Sequence, residues 1–289
     1  MNTKFKGLGV AMITPFNADG SIDFAGLEKL TLHLINGGVN YLVVMGTTGE
    51  NPTISAEEQA QVLTKVKEVN AKRLPIVFGI GGNNTAEVVN RLKTVDLTGV
   101  DGILSVSPYY NKPSQEGIYQ HYKAISENTP LPVIMYNVPG RTGSLISAAT
   151  TLRIAQLPNI VATKEASGSL DVCMDILRDK PEDFMVISGD DNYTLPYIAA
   201  GMHGVISVVG NAYPKEFSQM VNYALQGDLK NARHLHYKLL PIMKSIFMDG
   251  NPGGVKYVLE KMGVCGNNFR LPVVSVNEET KKAINAAML

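Results

Sequence analysis

Eight short, almost uninterrupted apolar runs recur along the chain, and the stretches between them carry apolar residues at helical spacing. The runs are Gly9 to Ile13, Tyr41 to Met45, Pro75 to Ile80, Gly102 to Val106, Pro132 to Asn137, Ile160 to Lys164, Phe184 to Ser188 and Gly204 to Val208. Strands that are apolar on both faces need cover on both faces, which parallel strands flanked by helices provide. Eight strand-helix units in about 220 residues match the size of a closed barrel. The pattern therefore predicts an α/β chain with a (β/α)8, or TIM barrel, fold. An open doubly wound sheet would want a glycine-rich phosphate turn after its first strand, and that strand leads instead into Thr14-Pro15-Phe16-Asn17.

Local signals set the helix ends. Ser55-Ala56-Glu57-Glu58 reads as a capping box ahead of Val62, Val66 and Val69. Asp23 is placed to cap the helix carrying Leu27, Leu30 and Leu34, and Gly37-Gly38 to stop it. From about Tyr213 the pattern turns purely helical, around Phe217 to Leu225, Leu229 to Ile246 and Val255 to Met262. This predicts a barrel over residues 1–212 and a C-terminal helical extension over 213–289, packed on the barrel with no low-complexity linker between them.

The 289 residues are 45% apolar and 18% charged, the composition of an ordinary globular chain. Lysine plus arginine equals aspartate plus glutamate at 26 each, so no overall basic field exists to attract nucleic acid or an anionic membrane. A small neutral or zwitterionic ligand suits that balance better. No stretch approaches the ~20 apolar residues of a membrane span, and Met1 to Lys6 lacks the form of a leader, which predicts a cytoplasmic chain. Cys173 and Cys265, far apart in sequence, read as reduced, buried thiols. His234 and His236 stand on different faces of a helix, and Asp190-Asp191 lacks a third ligand, so no metal site is predicted.

In a barrel, chemistry gathers at the C-terminal strand ends. Here those ends carry Thr14, the turn Gly46-Thr47-Thr48-Gly49-Glu50, Asn83, Tyr109-Tyr110, Tyr136-Asn137, Lys164-Glu165, Gly189-Asp190-Asp191 and Ser207. Lys164 ends an apolar strand with its ammonium directed at the barrel mouth, where desolvation lowers a lysine pKa and leaves a nucleophilic amine able to form a Schiff base. A strand-end lysine ordinarily snorkels to water or pairs with a neighbour such as Glu165. Its surroundings favour the nucleophile. The Thr47-Thr48 turn offers backbone N–H groups and hydroxyls as a nest for a small carboxylate. Tyr136, on the neighbouring strand, is placed to relay protons. Arg141, on the loop Val138 to Gly143, is suited to binding a second carboxylate with both arms of its guanidinium. The paired tyrosines of Ser107 to Pro113 suggest an interface.

These segments together resemble the dihydrodipicolinate synthase family: Gly46 to Glu50, Ser107 to Pro113, Tyr136 to Gly143, Lys164-Glu165-Ala166 and Gly204 to Val208, in order from about Gly9 to about Lys256. The resemblance implies condensation of pyruvate with L-aspartate 4-semialdehyde to 4-hydroxy-tetrahydrodipicolinate, in the diaminopimelate route to lysine. It implies that Lys164 forms the imine and that Tyr136 shuttles protons through Thr47 and a Tyr110 donated by a neighbouring subunit. Thr47 and Thr48 would hold the pyruvate carboxylate through their backbone, and Arg141 the carboxylate of the aldehyde. Gly189 and Ile206 would offer carbonyls at the ring-closing site. It further implies a homotetramer built as a dimer of dimers and no cofactor beyond the covalent Schiff base.

The sequence also departs from family habit. Lysine-inhibited members often carry histidine and related polar groups in the helix after the threonine turn, where this chain has Ala56 and Gln59. It keeps Asn83, Glu87 and Tyr109, similar to other parts of that allosteric pocket, so feedback inhibition stays open. In Asn251 to Lys256 the pair Gly253-Gly254 stands where a second proline is usual, which predicts a looser helix start. The nearest rival is a lyase similar to N-acetylneuraminate lyase, or another pyruvate aldolase, which generally lacks an arginine equivalent to Arg141 and has serine at the position of Thr47. A barrel that merely senses a small molecule would have no need to keep Lys164, Tyr136, Tyr110, Thr47 and Arg141 together.

Overall fold

The computed structural model describes residues 4–289; residues 1–3, the start of the segment read as carrying no leader, lie outside it. Eight parallel strands close on themselves in sequence order. They are β1 (Gly7–Ala11), β2 (Tyr41–Val44), β3 (Ile76–Gly79), β4 (Gly102–Val106), β5 (Val133–Asn137), β6 (Ile160–Glu165), β7 (Met185–Ser188) and β8 (Gly204–Ser207). β1 begins two residues before the expected run. Its register partner is β8, and Gly7 pairs with Gly204, so the closing seam recruits Gly7-Leu8 while Met12-Ile13 passes into the loop.

Alternation along each strand divides the core into two. Ala11, Tyr41, Val43, Val77, Leu104, Ile134, Tyr136, Ala162, Ile187 and Ile206 fill the barrel interior, while Leu8, Val10, Leu42, Val44, Phe78 and Val133 pack outward against the helices. Phe5 and Tyr41 meet edge to face at 5.7 Å inside the barrel. Glycine on the facing strands makes room for them: a Cβ on Gly9 would lie 2.2 Å from the Tyr41 ring, and one on Gly102 would lie 2.7 Å from Phe5. The barrel is thus plugged at its base and open toward the strand C-termini.

The expected caps are present. The Ser55 side chain accepts from the Glu58 N–H while the Glu58 carboxylate accepts from the Ser55 N–H, and Asp23 accepts from the Gly26 N–H. Helix Phe24–Asn36 ends at Gly37, with Gly38 at φ +78°. Helix Pro214–Leu225 packs on β1 and β8 and so fills the eighth outer position of the barrel. Helices Leu229–Ser245, Gly253–Lys261 and Glu278–Ala287 form the extension beyond it, and the last of these went unread in the sequence. The Gly253-Gly254 pair does not loosen its helix. The residues from Gly253 to Leu259 are all buried, and a Cβ on Gly254 would lie 2.2 Å from the Ile246 carbonyl oxygen. Glycine is there to let two backbones touch. Cys173 is buried and Cys265 partly exposed, both as free thiols. No helix among the described residues is long and apolar enough to cross a membrane.

Candidate active site

The turn after β2 is built by its neighbours. Met45 leaves the strand at φ +59°, and Gly79 on β3 admits it, since a Cβ there would lie 2.0 Å from the Met45 carbonyl oxygen. Thr47–Gly49 then forms a short 3₁₀ turn that ends on Glu50 in the left-handed region. The Thr14 hydroxyl donates to the Gly49 carbonyl at 2.7 Å, and Asn251 Nδ2 donates to Thr48 Oγ1 at 3.1 Å. Asn251 belongs to the C-terminal extension, and its contact with the turn was not foreseen, because nothing in sequence spacing links residues 203 apart.

Lys164 and Tyr136 face the barrel interior from adjacent strands, where they are register partners. Lys164 is 5% exposed, and its Nζ lies 4.2 Å from the Tyr136 ring centroid. Glu165, one residue on, faces the opposite way: it accepts from Asn137 Nδ2 at 3.0 Å and from the Ser167 N–H at 2.9 Å. The pairing of Lys164 with Glu165 therefore does not occur. Asn137 in turn ties both the N–H and the carbonyl of Ile146, which closes the loop that presents Arg141.

Burial drives the electrostatics. It pushes the Lys164 ammonium down to about 8, against the opposing pull of Asp191 and Asp190. It pushes the Tyr136 hydroxyl up to about 12, so the phenol keeps its proton at neutral pH. Asp190 is raised to about 6, first by burial, with Lys164 pulling the other way. Both aspartates line the mouth, and Asp191 is anchored there: its Oδ2 accepts from the N–H groups of Val208 and Val209 at 3.0 and 2.8 Å, bracing the exit of β8. No group of three His, Cys, Asp or Glu side chains among the described residues could hold a metal ion.

Two connected lobes open at the mouth. One, of about 550 Å³, is lined by Thr47, Thr48, Tyr136, Arg141, Lys164 and Gly189, together with Asp190. The other, of about 280 Å³, shares Thr47, Tyr136 and Arg141 and runs on to Tyr109. Ile206 lies in the barrel interior and lines neither lobe. Tyr110 stands apart at 88% exposure and φ +70°, and it lines neither lobe. Asn83, Glu87 and Tyr109 line a third cavity, of about 240 Å³, which adjoins the 280 Å³ lobe at Tyr109 and Gly81 and in which Asn83 Nδ2 donates to the Tyr109 carbonyl at 3.2 Å. Gln59 and Arg91 also line it, hydrogen-bonded to one another at 2.6 Å.

A buried amine with a lowered pKa, a protonated phenol across the ladder and a cation at the rim form a carbonyl-capturing arrangement. Similarity to known proteins agrees. The chain is 51% identical to a 4-hydroxy-tetrahydrodipicolinate synthase of Flavobacterium psychrophilum over 282 residues, covering 97% of this chain and 96% of the relative. It is also 51% identical to one of Parabacteroides distasonis over 284 residues, covering 98% and 96%. A solved dihydrodipicolinate synthase from Acinetobacter baumannii, described as complexed with pyruvate, superposes at a TM-score of 0.95 with 40% identity, covering 98% of this chain and 97% of that one. With the model of the dihydrodipicolinate synthetase family matching residues 4–289 as well, the chain belongs to that family.

Proposed function

We propose that this chain condenses pyruvate with L-aspartate 4-semialdehyde to 4-hydroxy-tetrahydrodipicolinate through an imine on Lys164, the lyase reaction of its relatives in lysine biosynthesis. The observation that carries the reading is the buried Lys164 amine, with its pKa near 8, directly across from Tyr136. The free amine adds to C2 of pyruvate, and Tyr136, which holds its proton, supplies it to the departing hydroxide as water leaves. Loss of a C3 proton to the phenolate gives the enamine. C3 then attacks the aldehyde carbon, and the alkoxide takes the proton back. Attack of the substrate's own amine on the imine carbon closes the ring and releases Lys164.

The remaining groups follow from the same reading. Thr47 and Thr48 hold the pyruvate carboxylate and Arg141 that of the aldehyde, with Gly189 and Ile206 offering carbonyls near the ring. The covalent imine serves as the electron sink, so no cofactor is required. Tyr110 acts in a neighbouring copy. Its exposure fits insertion into the 280 Å³ lobe beside Thr47 and Tyr136 of a second chain, within a dimer-of-dimers tetramer. Asn83, Glu87 and Tyr109 form the candidate regulatory cavity, and the activity belongs in the cytoplasm. Borohydride reduction with pyruvate tests the chemistry, since an unmodified Lys164 by mass spectrometry removes the mechanism. Turnover of aspartate semialdehyde, compared with cleavage of sialic acid, separates this reading from a lyase of the rival kind.

A further inference from the structure

The turn that carries Thr47 and Thr48 is held from the far end of the chain. Glu50, whose N–H donates to the Thr47 carbonyl, sends its side chain into the protein. There Oε1 accepts from Lys256 Nζ at 2.5 Å, with the two side chains 1% and 0% exposed, and Oε2 accepts from the Arg270 N–H at 3.4 Å. Lys256 also donates to the Asn268 carbonyl at 2.9 Å and lies against the rings of Phe16 and Phe269 at 4.3 and 4.9 Å. The Arg270 guanidinium completes the bracket: it donates to the Thr53 carbonyl at 2.8 Å and grips Glu58 with both arms at 2.5 and 2.8 Å.

Stability alone does not account for such a pair. Stripping water from two charges is costly, and apolar residues of the same size often serve the fold as well or better. A doubly anchored carboxylate does supply a fixed orientation, and here it is fixed two residues after Thr48, in a backbone held left-handed at φ +55°. Lys256 lines neither lobe of the mouth, so its influence on chemistry passes through Glu50.

We propose that Lys256 and Glu50 are a positioning pair that sets the Thr47-Thr48 turn for the carboxylate of the first substrate, which makes the C-terminal extension part of the catalytic apparatus. The inference rests on the reading that this turn receives pyruvate.

The test is the double variant Lys256→Met with Glu50→Leu, which leaves no unpaired charge in the buried site. Its fold is checked by circular dichroism, and half-saturation is measured separately for pyruvate, by borohydride trapping, and for aspartate semialdehyde, by turnover. The pyruvate value is expected to rise about tenfold or more, since small misplacements of a binding group are costly, while the aldehyde value stays within about twofold. A folded variant with wild-type pyruvate half-saturation, or with equal rises for both substrates, overturns the pair's role. If the double variant does not fold, the isosteric Glu50→Gln is read by the same two measurements, and an unchanged pyruvate value overturns it likewise. Absence of an adduct on the wild-type enzyme would sink the pyruvate reading instead.

Discussion

Tyr136 lies directly across the β5–β6 ladder from Lys164, with the ammonium 4.2 Å from the centre of its ring. The ring face and the hydroxyl are thus separable in function. Tyr136→Phe keeps the ring that packs against the amine and removes only the hydroxyl, the proton carrier of the proposed mechanism. We expect kcat to fall about 10²- to 10⁴-fold, the usual worth of positioned acid-base catalysis, while borohydride still traps pyruvate on Lys164, more slowly. A kcat within a few-fold of wild type would show that protons travel by another route.

The lowered pKa of Lys164 sets a pH dependence with a definite sign. Only the free amine attacks a carbonyl, and with a pKa near 8 its fraction grows through neutral pH and levels off above that value. The rate of imine formation should therefore rise close to tenfold per pH unit well below 8 and plateau above it. Tyr136, raised to about 12, keeps its proton across this range and adds no second limb. Rapid-quench trapping of pyruvate at a series of pH values measures the profile, and a flat profile between pH 6 and about 8 would contradict the assignment.

The same burial has a stability consequence. A lysine whose folded pKa lies below its unfolded 10.5 resists protonation in the folded state, so its cost is full below about pH 8 and vanishes above 10.5. At about 1.4 kcal/mol per unit, Lys164 costs the fold on the order of 3 kcal/mol at neutral pH. Lys164→Met should be inactive and more stable than wild type at pH 7, with the gain shrinking as pH rises toward 10.5. Denaturant unfolding of both proteins at the two pH values checks this; equal stabilities at pH 7 would mean that the amine is solvated where it stands.

Arg141 sits on the exposed rim, on the short helix Pro139–Thr142 closed by Gly143 at φ +71°. The loop is fixed by Asn137 through Ile146, not by Arg141 itself, so Arg141→Ala should leave the loop in place. Loss of a bidentate carboxylate contact is expected to weaken use of the aldehyde by about 10- to 100-fold and pyruvate capture by little. Equal losses for both substrates would assign Arg141 to general electrostatics at the mouth.

What the sequence disclosed and what it hid follow from range. Apolar runs are local, so all eight strands were legible, and β1 alone was misplaced, because its start is decided by pairing with Gly204 at the closing seam. That Lys164, Tyr136 and Arg141 would meet at the mouth was readable because strand ends in a barrel converge by topology. The direction of Glu165 is decided by strand alternation, which rules out the pairing with Lys164 that adjacency alone would offer. The pairing of Glu50 with Lys256 escaped notice because 206 residues separate them and nothing in either segment points to the other. Only packing brings such a pair together.

The glycine pair before Lys256 links that packing to a final prediction. Gly254 stands at the start of helix Gly253–Lys261, and a Cβ there would lie 2.2 Å from the Ile246 carbonyl oxygen and 2.6 Å from the Ile246 Cα. Both are backbone atoms at the end of the preceding helix, so no side chain can swing aside to relieve the clash. Gly254→Ala must push the two helix ends apart, at a cost of about 1–3 kcal/mol for overpacking. The displaced helix carries Lys256, so the half-saturating concentration of pyruvate should rise along with the loss of stability. Gly140→Ala is the control for stability alone, since Gly140 lines the 550 Å³ lobe: nothing lies within 4 Å of a Cβ at that position, and the change should stay within about 0.5 kcal/mol of wild type. Thermal unfolding of the two variants, with pyruvate titration of Gly254→Ala against wild type, decides the matter. If Gly254→Ala proves as benign as Gly140→Ala, the helix ends have room to move and the glycine pair is incidental to the site.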